Sequence, residues 1–94
     1  MITVLLVGTK KVMGHLLRRL KNETIYQVHI VRTIALAMVS ARSMPHTIIV
    51  TEGLDITSLG NFLGEYGINS PVHVINPEDP AQVEHVVTHL KGGS

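Results

Sequence analysis

The stretch that most restricts what this chain can fold into is residues 46–53, His-Thr-Ile-Ile-Val-Thr-Glu-Gly. Thr47, Ile48, Ile49, Val50 and Thr51 are all β-branched, and no charge appears until Glu52. A strand that offers apolar side chains to both faces belongs inside a parallel sheet with helices packed on either side. In such sheets ligands and catalytic groups gather just past the carboxyl ends of the central strands. Here that position is held by Thr51, Glu52 and Gly53.

The rest of the chain repeats one alternation. Ile2-Thr3-Val4-Leu5-Leu6-Val7 reads as a buried strand closed by Gly8. Thr9 suits a helix N-cap, because its hydroxyl can accept from the free amides of the following turn. Val12, Met13, Leu16, Leu17 and Leu20 then form one apolar stripe, with Lys10, Lys11, His15, Arg18, Arg19 and Lys21 on the remaining face. Residues 26–31 alternate more and predict an edge strand with a wetter face. Residues 33–43 predict a helix that is apolar nearly all round, hence buried on more than one side. Its Leu36, Met38 and Val39 are the candidate interface residues. After the central strand, Thr57 is read as the cap of a helix carrying Leu59, Phe62, Leu63 and Tyr66. Gly60 and Gly64 each cost that helix about 1 kcal/mol against Ala, and Gly67 fits its end. Ser70-Pro71 introduces a fourth strand, residues 72–75. Asp79 caps a last helix with Pro80 in its first position, and Val83, Val86, Val87 and Leu90 form the buried stripe.

Four strand–helix alternations with short connections predict an α/β domain. With right-handed crossovers, the expected architecture is a three-layer, flavodoxin-like open parallel sheet of four strands in order 2-1-3-4. One domain over residues 1–91 is expected, with 92–94 as a tail. No fifth strand and helix follow to cover the sheet beside the first helix. Either the last helix crosses to that side or a second subunit covers it.

Composition bears on function mainly through charge. Only 16% of the 94 residues are charged, below the usual quarter. A hydrophobic core accounts for part of this, and surface hidden against a second copy or a larger partner accounts better for the whole. The charge is also badly mixed. Residues 1–45 hold seven Lys and Arg against Glu23 alone, a net +6, whereas residues 46–94 hold Lys91 against six acids, a net −5. That asymmetry suits complementary association. Cysteine is absent, which excludes disulfides, thiolate metal ligands and thiol catalysis. No stretch resembles a signal peptide or approaches the roughly 20 apolar residues of a membrane span, so the expected location is the cytoplasm, without a membrane partner.

At this point the chain resembles the receiver domains of two-component response regulators, over nearly its whole length. The resemblance lies in Val4-Leu5-Leu6-Val7, in Ala35-Leu36-Ala37 running into Met44-Pro45-His46-Thr47-Ile48-Ile49-Val50, and in Ser70-Pro71-Val72-His73-Val74-Ile75-Asn76. The departures fall on the phosphorylation pocket. Receivers place paired acids after the first strand, where this chain has Gly8 and Thr9. They place the phosphorylated Asp where it has Thr51 and the switch Thr or Ser where it has Asn76, and their fifth strand with its Lys is missing. A hard divalent ion needs carboxylates, and an acyl phosphate needs a carboxylate nucleophile. The resemblance therefore implies a degenerate, phosphorylation-independent receiver, a shape that serves as an interaction and dimerisation module in regulators and in atypical ATPases of pilus assembly and localisation.

Two functional readings follow. The first is a non-enzymatic regulatory or scaffolding domain that forms a homodimer and docks another protein or a downstream domain, with no cofactor. The second is a module that binds a small anionic ligand or nucleotide at Gly8, Thr9, Lys10, Thr51, Glu52 and Asn76. Gly8-Thr9-Lys10-Lys11 at a helix start favours anions but is neither a P-loop nor a dinucleotide fingerprint. His85 and His89 have metal-capable spacing, with no third ligand evident. His29 and His73 are read as packed or hydrogen-bonded within strands. With three aromatics and no recognition motif, nucleic acid has little support, and no nucleophile elbow supports acyl transfer.

Overall fold

A computed structural model describes residues 2–92. Strand and helix alternate as β1 (Ile2–Val7), α1 (Lys10–Lys21), β2 (Tyr26–Val31), α2 (Ile34–Ala41), β3 (Thr47–Thr51), α3 (Ile56–Glu65), β4 (Val72–Ile75) and α4 (Pro80–Gly92). The four strands form one parallel sheet in the order β2-β1-β3-β4. This is the expected open, flavodoxin-like α/β sheet. α4 runs to Gly92, one residue past the expected domain boundary, and the rest of the expected tail lies outside the described residues.

Strand side chains alternate between two cores, as the period of two requires. Val4, Leu6, Ile49 and Ile75 face α1 and α4, meeting Met13, Leu16, Leu20, Val83, Val86, Val87 and Leu90. Leu5, Val7, Ile48 and Val50 face α2 and α3, meeting Ala37, Ala41, Leu59 and Leu63. Of the two ways to cover the sheet beside α1, the chain takes the first: α4 lies alongside α1. The Arg19 Nε donates to both carboxylate oxygens of Glu84, at 3.3 and 3.1 Å, and Lys91 pairs with Glu23.

Two local expectations need correction. The cap of α3 is Asp55, not Thr57: an Asp55 carboxylate oxygen accepts from the Ser58 amide at 3.1 Å, and the Ser58 hydroxyl donates to the other oxygen. The Asp sits where the chain first turns, and an ionised oxygen is the stronger acceptor for a free helix-start amide. The second correction concerns α2, which is shorter than expected and, within the chain, buried on one side. Thr33 caps it through Leu36. Only Ala37 and Ala41 are fully buried, while Leu36 is 50% and Val39 69% exposed. Met38 is half-buried and packs on the core beneath α2. The candidate interface trio therefore splits, with Leu36 and Val39 outward and Met38 inward.

Candidate functional site

The carboxyl ends of β1 and β3 meet where the register pairs Val7 with Val50. Beyond them lie Gly8 and Thr51. A Cβ built on Gly8 would stand 3.1 Å from the Thr51 methyl carbon and 3.3 Å from the Met13 side chain, at a backbone φ of +156°. Contacts this tight force a shift, so the glycine permits the two strand ends to close on each other. A side chain at residue 8 would meet the Thr51 methyl and Met13.

The polar groups nearby are largely committed to the backbone. The Thr9 hydroxyl accepts from the Val12 amide as the cap of α1. The Glu52 amide donates to the Ile75 carbonyl at 2.9 Å, leaving its carboxylate exposed. Asp55 is used by α3, and the Ser58 hydrogen bonds hold its carboxyl below the usual range. Asn76 stands past the end of β4, the strand beyond β3, about 10 Å from the β1 end by strand spacing. Its side chain accepts from the Glu78 amide, and its own amide donates to the Gln82 side chain. The fold thus brings Gly8 against Thr51 and sets Thr9 and Lys10 in one groove, while Glu52 is held on the β4 side, at Ile75, with Asn76. To that groove the sheet order adds a residue that the sequence reading missed. Arg32 follows β2, the neighbour of β1, and it lines a groove of about 450 Å³ with Thr9, Lys10 and Ile30. Strand order is the signal that finds it, because only then do residues 9 and 32 become neighbours.

The opposite, amino end of the sheet carries a second feature. His73 of β4 faces α4, where its ring meets His89 edge to face at a centroid distance of 4.9 Å. Its Nε2 is buried without a hydrogen-bond partner. Burial, and then the neighbouring His89 and His85, hold the His73 pKa below the usual 6.5. His46 stands nearby, its Nδ1 accepting from the Thr3 amide at 3.0 Å. His46, His73 and His89 line one pocket of about 210 Å³. His73 is packed, as expected of a strand histidine, and His89 meets it rather than lying only on a solvated face. Among the described residues no three His, Cys, Asp or Glu side chains converge as a metal site.

Beside this pocket β4 forms an open edge of the sheet. Val72 and Val74, which face away from α4, are 36% and 43% exposed. From residue 66 to residue 77 the chain carries no Asp, Glu, Lys or Arg. Edge strands are ordinarily guarded by shortness, charge, a bulge or Pro; β4 is short, four residues after Pro71, but carries no charge, bulge or Pro inside its span. Comparison with protein-family models, with characterised proteins and with solved structures finds no match.

Proposed function

We propose that this chain is a phosphorylation-independent, receiver-like regulatory or scaffolding domain that works by self-association and protein docking. The observation that carries the reading is the β4 edge: a row of open backbone donors and acceptors, flanked by exposed valines and free of charge. Such an edge is a template for another strand. The opposite end of the sheet supports the same reading. The Thr51 methyl lies against Gly8 at the end of β1, and Asp55 and Asn76 are spent on capping and turn hydrogen bonds. Among the described residues, nothing there presents a carboxylate nucleophile beside a second and a third acid, the arrangement that acyl phosphate chemistry with a divalent ion needs.

One observation favours the anion-binding reading instead. Lys10 and Arg32 flank a single groove at the start of α1, where the helix end adds its own partial positive charge. The measurement that separates the two is solution mass by light scattering, with thermal unfolding alongside. The scaffold reading predicts a dimer that Val74→Lys converts to a monomer, since a charge then stands at the contact. A chain that stays monomeric at high concentration, and melts at a higher temperature in pyrophosphate, overturns self-association in favour of the groove.

A further inference from the structure

Strand β4 alone is too small to hold two copies together. Its four residues span about 13 Å, at about 3.3 Å each, and its outward valines are only 36% and 43% exposed. A stable interface buries about 800 Å² on each partner, so the contact must run past the strand onto adjoining apolar surface. We propose that Met44 provides that surface, as a docking side chain in the contact between two copies of this chain, an inference that rests on the β4 edge being where they meet.

Met44 follows α2, which packs on the side of the sheet formed by Leu5, Val7, Ile48 and Val50. The register pairs Ile48 with Val72 and Val50 with Val74, so the two exposed valines turn to that side as well. At the amino end of the sheet the Ser70 hydroxyl donates to the Pro45 carbonyl and ties the entry of β3 to the entry of β4. Met44, Pro45, His46, Asn69, Ser70 and Pro71 line one cleft there, of about 220 Å³, and Val72 follows directly. Met44 is 61% exposed, more than either valine. Residues 43–51 and 66–77, which supply both walls, carry no Asp, Glu, Lys or Arg. The edge and the cleft thus form one uncharged surface.

The backbone at Met44 keeps a side chain where the fold alone favours none. The Met44 amide donates to the Ala41 carbonyl at 2.9 Å as the last turn of α2 unwinds, and its φ is +56°. In that left-handed region a Cβ crowds the following carbonyl, and a helix end ordinarily carries Gly there. Pro45 restricts the residue before it further. A side chain this exposed returns little burial to its own chain, so what holds it in place lies outside the monomer. An unbranched thioether moulds to the surface that meets it. The match for an uncharged apolar edge is another such edge, and a second copy carries one. In a two-fold contact each residue enters twice, so a single substitution removes two methionines from the interface.

The test separates folding from association with Met44→Gly and Met44→Leu. Met44→Gly is also made in the Val74→Lys chain, where no dimer contributes to the melting temperature. In that background it should raise the melting temperature by about 3–8 °C, because the strain is released. In the parent chain it should weaken the dimer at least about tenfold, read by light scattering over a dilution series. Met44→Leu keeps the apolar bulk and should stay within about threefold of the parent. A Met44→Gly chain that dimerises as tightly as the parent overturns the role of Met44 and leaves the β4 contact standing. A lower melting temperature for Met44→Gly in the Val74→Lys chain also overturns it, because the side chain then serves the fold. A parent that is monomeric throughout, or a Val74→Lys chain that still dimerises, overturns this inference together with the reading it rests on.

Discussion

Gly8 has no side chain where Thr51 leaves no room for one. A Cβ at residue 8 would stand 3.1 Å from the Thr51 methyl carbon and 3.3 Å from Met13, and the positive φ adds backbone strain for any L side chain. Gly8→Ala should therefore destabilise the domain by about 1–3 kcal/mol, the usual range for overpacking a closed site. Thr51→Ser deletes the nearest obstacle, so the double variant should be less destabilised than the two single losses added together. A coupling of about 0.5 kcal/mol or more in urea unfolding is the expected sign of contact. Independent additivity would mean that the strand ends do not touch. Gly8 and Thr51 were both legible as strand-end residues, since each closes an apolar β-branched run. What remained hidden was that they touch each other instead of lining an open pocket. Arg32 was within reach of the expected order 2-1-3-4, which sets β2 beside β1, but no local pattern marks it, because the groove it lines with Thr9 and Lys10 joins two separate strand ends. His46 reads as the entry to a strand, and its hydrogen bond to Thr3 appears only when β1 and β3 are paired.

At the scale of elements, the helix α3 shows how far propensity can be overruled. Two of its ten residues are Gly60 and Gly64, both exposed, and a Cβ at either would meet nothing within 4 Å. The helix forms because Leu59 and Leu63 bury against the sheet and Asp55 caps its start. Gly60→Ala and Gly64→Ala should each stabilise the domain by about 0.5–1 kcal/mol, roughly additively, because each change restricts the unfolded chain at no steric cost. Unfolding in urea checks this; a loss of stability in either variant would show that the glycines make room for something outside the chain. The existence of α3 was legible from the spacing of its apolar residues, but its first residue was not. Asp55 and Thr57 are both capping types, and only the turn geometry selects between them. α2 was misread for the opposite reason. Seven of its eight residues are large apolar side chains or Ala, with Ser40 the single polar one, so the sequence names no outward face. The buried side proved to be the one with the alanines, Ala37 and Ala41, which let the helix lie close to the sheet.

For the whole molecule the question is which force would hold two copies together, the apolar edge or the divided charge. The strand order that exposes β4 was legible, since four short crossovers of one hand leave few alternatives. The placement of α4 was not, because the same apolar stripe could face either a subunit or the sheet. Folding mends little of the charge division. Arg19 with Glu84 and Lys91 with Glu23 join the two halves of the chain. The Lys10, Lys11, Arg18 and Lys21 side chains remain exposed along α1, and Glu52 and Glu78 remain exposed past β3 and β4. Association driven by those opposed fields would act over the screening length, which falls from about 30 Å at 0.01 M salt to about 3 Å at 1 M. Pairing through β4 would not, since its flanks are uncharged and apolar burial is not weakened by salt. The dimer dissociation constant should therefore change by less than about threefold between 0.01 and 1 M NaCl. Leu36→Lys with Val39→Lys on the outer face of α2 should leave it unchanged as well. Weakening by tenfold or more in high salt would assign the contact to the basic face of α1 and an acidic neighbour. Dissociation caused by the α2 substitutions would instead assign it to that helix, and in either case β4 would lose its role.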